Sequence, residues 1–133
     1  MTVAYVESSA LVKLALTEDY SVELRDALRG DTRVTSELSI LEVGRALRRS
    51  DGEAGLARAR AELLRFETIP VDRAILSTAT LVEPTLLRSL DAIHVASALA
   101  LESPDVVFYS YDARTIEAAQ ANGLVTASPG AAG

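Results

Sequence analysis

Four carboxylates, Glu7, Glu42, Asp91 and Asp112, each stand where an apolar stretch meets a helix start or a helix face. Glu7 follows Val3-Ala4-Tyr5-Val6, and Asp112 follows Val106-Val107-Phe108-Tyr109-Ser110-Tyr111. Asp91 opens a long uncharged helix. Glu42 falls four residues from both Leu38 and Ala46, on the border of an apolar stripe. Gathered in one pocket, such acids repel, because two unit charges about 4 Å apart cost roughly 4 kcal/mol at an effective dielectric near 20. A cluster of that kind persists by protonation or by binding a cation, so the first expectation is a metal site. Oxygen-only ligands select hard divalent ions, Mg2+ or Mn2+, over zinc or copper. An ion held this way activates a water and clamps a phosphate oxygen, the chemistry of phosphodiester hydrolysis.

Each acid also has an ordinary structural reading. Glu7 and Asp91 suit helix N-termini, where the macrodipole favours negative charge by a few tenths to about 1 kcal/mol. Asp112 is a good N-cap, and Glu42 can close a capping box with Ser39. Glu37 is the better first-turn acid of that helix and is assigned no chemistry.

Competing chemistries lack their residues. There is no Cys, which removes disulfides, thiolate zinc sites and cysteine nucleophiles. His94 is the single histidine and reads as a residue of the core edge or surface rather than a ligand. With one His and one Lys, a metal-free ribonuclease mechanism lacks its two proton-transfer groups. No Gly-x-Ser-x-Gly elbow and no Gly-rich phosphate loop is present.

The elements that must position these acids alternate in type. Val3 to Val6 reads as a buried strand, and Ser8-Ser9 supply cap chemistry for a helix through Leu16. A second helix covers Ser21 to Leu28 and stops at Gly30. Arg33 to Thr35 reads as a strand, and Ser36 caps a helix to about Arg49, with a turn at Asp51-Gly52. A charged amphipathic helix follows from about Glu53 to Phe66, then a strand over Thr68 to Val71. Asp72 caps a helix to about Val82, and Glu83-Pro84 breaks it. Ser89 caps the next, which runs to about Leu101. Val106 to Tyr109 is the clearest strand, Asp112 caps a helix through Ala121, and Leu124 to Thr126 forms a last edge strand. This order predicts an α/β sandwich with a mostly parallel central sheet of about four to five short strands flanked by helices. In such sheets the site lies beyond the carboxyl ends of the strands, which is where Glu7 and Asp112 fall.

At 133 residues, 49% of them hydrophobic, the chain reads as a single globular domain over 1–133, with a frayed tail from about 127. The N-terminus lacks the basic region of a secretory signal, and the longest uncharged run, Ala92 to Leu101, is about half a membrane span. A soluble, cytoplasmic protein is expected. The net charge of −6 argues against a nucleic-acid partner for the surface as a whole, but it does not describe one groove. Basic residues gather at Arg45, Arg48, Arg49, Arg58, Arg60 and Arg65, and the residues alone leave open a binding face or a solvated one.

Four segments carry a family resemblance. Tyr5-Val6-Glu7-Ser8-Ser9-Ala10-Leu11-Val12-Lys13-Leu14 resembles the opening strand and helix of PIN-domain nucleases, most closely the VapC-type toxins of bacterial toxin–antitoxin pairs. Ser36-Glu37-Leu38-Ser39-Ile40-Leu41-Glu42-Val43-Gly44-Arg45-Ala46-Leu47 is similar to the second motif of that family. Leu90-Asp91-Ala92-Ile93-His94-Val95-Ala96-Ser97-Ala98 is similar to the third, and Tyr109-Ser110-Tyr111-Asp112-Ala113-Arg114 to the fourth. The resemblance implies a PIN-like three-layer sandwich and makes Glu7, Glu42, Asp91 and Asp112 the acidic quartet holding Mg2+ or Mn2+. Ser9 matches the supporting hydroxyl. It further implies an endoribonuclease toxin acting on RNA, a small cognate antitoxin and a homodimer. Arg45, Arg48 and Arg49 become candidates for RNA or antitoxin contact.

One position departs from the pattern. Glu7 stands where the family has Asp, adding a methylene of reach to a ligand of an ion that demands near-ideal geometry. The alternative function is therefore a catalytically weakened PIN-like module that binds RNA or protein. A receiver-like signalling domain would need a Lys after a late strand, and the single Lys is Lys13.

Overall fold

The β-branched and aromatic runs of the sequence pair into a parallel sheet. The computed structural model describes residues 2–131, in the order β1 (Val3–Val6), α1 (Ser8–Ala15), α2 (Ser21–Ala27), β2 (Thr32–Ser36), α3 (Leu38–Leu63), β3 (Glu67–Ile69), α4 (Arg73–Thr80), α5 (Ser89–Leu99), β4 (Val106–Tyr109), α6 (Ala113–Ala121) and β5 (Val125–Ala127). The five strands lie in the order β3-β2-β1-β4-β5 and every pairing is parallel.

Alternation along the strands feeds two cores, one on each face of the sheet. Ala4, Val6 and Tyr109 face α1, α2 and α3, where Leu11, Leu24, Leu28 and Leu47 are fully buried. Tyr5, Val34, Val106 and Phe108 face the other way, onto α4, α5 and α6, packing with Ile75, Val95 and Ala118. Burial of each such large side chain contributes about 1.5–3 kcal/mol. The result is the three-layer α/β/α sandwich expected from the sequence. Because β1 pairs with β2 on one side and β4 on the other, the strand order reverses between β1 and β4. The carboxyl edge at that reversal is where open α/β sheets place their ligands.

Several boundaries differ from the sequence reading, each for a local reason. Glu7, not Ser8 or Ser9, caps α1, its side chain accepting from the Ser9 amide. The two serines are thereby the first residues of the helix, and their hydroxyls are free for other partners. Ser36 stays in β2 while its Oγ accepts from the Leu38 amide at 3.0 Å, so α3 begins two residues later. Arg88, not Ser89, holds the N-cap position of α5 and makes no side-chain cap bond. Strand β3 stops at Ile69, before Pro70, which has no amide to give a ladder. The expected caps Asp72 and Asp112 are observed, bonding the amides of Ile75 and Arg114.

The turn at Asp51-Gly52 appears as a kink inside α3. Gly52 adopts φ 56°, ψ −140°, a region that only glycine enters freely. Beyond it, a Cβ on Gly55 would lie 2.1 Å from the Leu47 carbonyl oxygen, so the two arms of α3 approach through bare backbone. At the other end of the chain, the segment expected to fray from residue 127 is held. Ala127 pairs with Tyr109, the Ser128 hydroxyl donates to the Ser110 carbonyl at 2.6 Å, and the Tyr111 hydroxyl donates to the Pro129 carbonyl at 2.7 Å. Residues 132 and 133, also within that expected tail, lie outside the described residues.

Candidate active site

All four acids sit at the carboxyl edge or on helices that border it, held in three groupings of polar contacts. The first is built on β1 and β4. Glu7 is only 5% exposed, and its amide donates to the Tyr109 carbonyl at 3.0 Å, tying the end of β1 to the end of β4. Its Oε1 accepts from the Ser9 hydroxyl at 2.5 Å and the Ser110 hydroxyl at 2.6 Å, while Oε2 takes the Ser9 amide at 3.0 Å. Ser110 in turn accepts from the Asp112 amide at 3.1 Å. Ser9 thus bonds Glu7 through both its amide and its hydroxyl, and the hydroxyl also accepts from the Tyr111 amide at 2.9 Å.

The second grouping joins Asp91 and Asp112 through a cation. Arg88 Nε donates to Asp91 Oδ2 at 3.1 Å, and its terminal Nη2 lies 3.7 Å from Asp112 Oδ2. The hydrogen bond and charge of Asp91, then the charge of Asp112, hold the guanidinium above its ordinary pKa. Asp112 also accepts from the Arg114 amide and from the Thr115 hydroxyl at 2.9 Å, so it caps α6 while facing Arg88.

The third grouping reaches Glu42 on α3 from the opposite layer. His94 on α5 is fully buried, with Nε2 2.6 Å from Glu42 Oε1 and Nδ1 2.7 Å from the Tyr5 hydroxyl. The Ser8 hydroxyl donates to the same Glu42 oxygen at 2.5 Å. Burial pushes the Glu42 carboxyl up, but the His94 and Ser8 hydrogen bonds and the His94 charge outweigh it, leaving Glu42 below its ordinary 4.5. Burial first, and then the charge of Glu7, lift the Tyr5 hydroxyl well above its ordinary 10, so it keeps its proton. The Tyr5 hydroxyl at Nδ1 and Glu42 at Nε2 thus occupy both ring nitrogens of His94. Among the described residues, no buried side-chain nitrogen or oxygen lacks a partner.

The donors are carboxylates and hydroxyls, and the His94 Nε2 is committed to Glu42, so the set suits a hard divalent ion. Arg88 marks the point where Asp91 and Asp112 already share one positive charge. The arrangement is not a finished cage, however. Among the described residues, no group of three or more His, Asp or Glu side chains is gathered to hold an ion. Glu7 turns back onto Ser9 and Ser110, and Glu42 onto Ser8 and His94.

Arg45, Arg48 and Arg49 line an open cleft of about 470 Å3 with Gly52 and Glu53, at the kink of α3. Arg45 and Arg49 follow Glu42 at i+3 and i+7, on the same helical face. None of the three is ion-paired among the described residues. An adjoining apolar cleft of about 430 Å3 includes the exposed Ile40 and Leu41.

Sequence reasoning missed three residues that contact these acids or their partners. His94 reads as a core-edge or surface residue rather than a ligand; it is fully buried and bonds Glu42. Its position at i+3 from Asp91 was the available signal. Arg88, at i−3 from Asp91, carried the same helical spacing. Tyr5 gave no signal, because a strand aromatic facing the core is ordinary.

The fold is a parallel α/β sandwich with the four acids at or beside its carboxyl edge. The chain belongs to the PIN domain family, which matches residues 4–121. It is 36% identical to Ribonuclease VapC47 of Mycobacterium tuberculosis over 132 residues, covering 96% of this chain and 97% of that protein. It is 41% identical over 133 residues to Ribonuclease VapC35 of the same species, covering 96% and 98%. Among solved structures, Mycobacterium tuberculosis VapC20, a sarcin–ricin loop cleaving toxin, matches with a TM-score of 0.75 at 17% identity, over 95% of this chain and 99% of that one. The DNA-bound VapBC of Salmonella typhimurium matches with a TM-score of 0.73 at 13% identity, over 96% and 98%. At those identities the solved structures bear on the fold.

Proposed function

We propose that the chain is a metal-dependent endoribonuclease toxin of the VapC type, neutralised by a small cognate antitoxin. Its kinship with VapC ribonucleases over nearly its whole length supports the activity class. The observation that carries the chemistry is the meeting of Asp91, from α5, and Asp112, from α6, on one positive charge beside the Glu7–Ser110 link. Asp91 and Asp112, with Glu7 and Glu42, would hold Mg2+ or Mn2+. Held there, such an ion would supply Lewis-acid polarisation of a phosphate and a lowered pKa for an attacking water.

The remaining residues hold these ligands ready. Ser9 and Ser110 fix Glu7. The Tyr5–His94 pair and Ser8 fix Glu42 and favour its ionised form, so an acceptor is in place at neutral pH. Arg45, Arg48 and Arg49 give the RNA backbone a cationic wall next to Glu42, contacts that fix register without reading bases. The apolar cleft around Ile40 and Leu41 suits a protein partner, the antitoxin or a second copy in a homodimer. Among the described residues no helix is long and apolar enough to cross a membrane, and the proposed RNA substrate fits an activity in the cytoplasm.

Expression in cells tests the whole reading. The wild-type chain should arrest growth, and Asp91→Asn or Asp112→Asn should each abolish the arrest. Undiminished toxicity in both variants would contradict the assignment. A second reading, a PIN-like module that binds RNA or protein without cutting, is favoured by one feature. Both oxygens of Glu7 are spent on Ser9 and Ser110, leaving the longer first acid turned inward.

A further inference from the structure

Arg88 is seated between two of the four acids. Among the described residues, no other Lys or Arg is ion-paired with Glu7, Glu42, Asp91 or Asp112. Its guanidinium engages Asp91 Oδ2 at 3.1 Å and lies 3.7 Å from Asp112 Oδ2, spanning the first turn of α5 and the cap of α6. The side chain is 68% exposed, so packing does not force it there. Nor does helix capping, since the N-cap position it occupies uses no side-chain bond. What holds it is the charge of two acids from separate elements.

We propose that Arg88 is the resident counter-ion of this site, competing with the divalent ion for Asp91 and Asp112 and so setting the metal affinity. The inference rests on the metal-dependent reading above. Both acids turn the same oxygen, Oδ2, toward Arg88, and a small hard cation takes carboxylate oxygens at about 2.0–2.1 Å with little angular tolerance. A guanidinium on those oxygens blocks that approach and cancels part of the charge that attracts the ion. Metal entry therefore requires Arg88 to swing out, which its exposure allows. Exposed ion pairs of this kind each alter an equilibrium by up to about fivefold. Loss of both contacts should tighten metal binding by roughly three- to twentyfold.

The test is an Mn2+ titration of the full chain without RNA, with free Mn2+ read by electron paramagnetic resonance. Arg88→Gln removes the charge. Arg29→Gln, on a side chain 81% exposed at the end of α2 and paired with Asp26, makes the same change in net charge away from the site. Thermal unfolding of each variant verifies that it is folded. The proposal expects Arg88→Gln to bind Mn2+ roughly three- to twentyfold more tightly than wild type, and Arg29→Gln within about twofold of it. Binding seen only in Arg88→Gln also supports it. Unchanged or weaker binding by Arg88→Gln, or an equal gain in Arg29→Gln, overturns it while leaving the metal-dependent reading intact. No binding by wild type or Arg88→Gln overturns both.

Discussion

Replacing Tyr5 by Phe removes one hydroxyl from the chain of contacts that orients Glu42. That hydroxyl lies 2.7 Å from His94 Nδ1, and both residues are fully buried. The ring itself loses nothing. It stacks on Phe108 at 5.3 Å and meets His94 edge-on at 6.0 Å, contacts that a Phe keeps. The change therefore removes the hydroxyl from Nδ1, and from its weaker contacts with Ser97 and the Ser36 backbone, and leaves Nδ1 without a partner, which costs about 1–3 kcal/mol. At this chain length a loss near 2 kcal/mol lowers the melting temperature by roughly 6–10 °C. The control is the same substitution in a His94→Leu background. With both polar partners gone, Tyr5→Phe should cost less than about 0.5 kcal/mol, because no buried group is left unpaired by it. Urea unfolding of the four proteins by circular dichroism, with equal m-values, gives the cycle directly. Equal costs in both backgrounds, or a wild-type cost under about 0.5 kcal/mol, would refute the idea that Tyr5 holds His94 and, through it, Glu42.

Three further outcomes follow from particular contacts. Glu42 titrates below 4.5, so the stability it contributes is complete above that pH and is lost as pH falls through its lower folded value. The stability gap between wild type and Glu42→Gln should therefore shrink as the medium is acidified below 4.5, and a gap that widens there would contradict the assignment. Gly55→Ala should cost about 3 kcal/mol, because the new Cβ would meet the Leu47 carbonyl oxygen at 2.1 Å and backbone cannot yield cheaply; a loss under about 1 kcal/mol by urea unfolding would show that α3 can open at its kink. Changing Arg45, Arg48 and Arg49 together to Gln in an Asp91→Asn chain should lower the slope of log affinity against log salt for single-stranded RNA by about 2. An unchanged slope would remove these residues from the RNA contact.

How much of this was legible depended on the range of the interaction involved. Val106 to Tyr109 and the helix from Ala113 to Ala121 were read to the residue, since β-branched runs and an Asp cap act locally. The layer order followed from alternation of strands and helices. The helix starts at Ser8, Ser36 and Ser89 fall a residue or two from where a serine cap would put them. A serine near a helix start satisfies local capping rules, yet at the first of these Glu7 took the cap and Ser8 turned to Glu42. The site divides in the same way. The four acids could be singled out because each interrupts an apolar pattern. Their partners could not, because Ser110 against Glu7 is a pairing over 103 residues, and Tyr5 against His94 one over 89. The inward turn of Glu7 was also beyond sequence, although the extra methylene that permits it was visible.

The central claim, that the acids at the carboxyl edge act as one metal-dependent ribonuclease site, is tested most directly by cleavage of a mixed RNA pool by purified protein. The account predicts cleavage with Mn2+, none with EDTA, and a loss of at least about a hundredfold in Asp91→Asn with Mn2+ present. Cleavage that persists in EDTA, or that Asp91→Asn leaves intact, would contradict it.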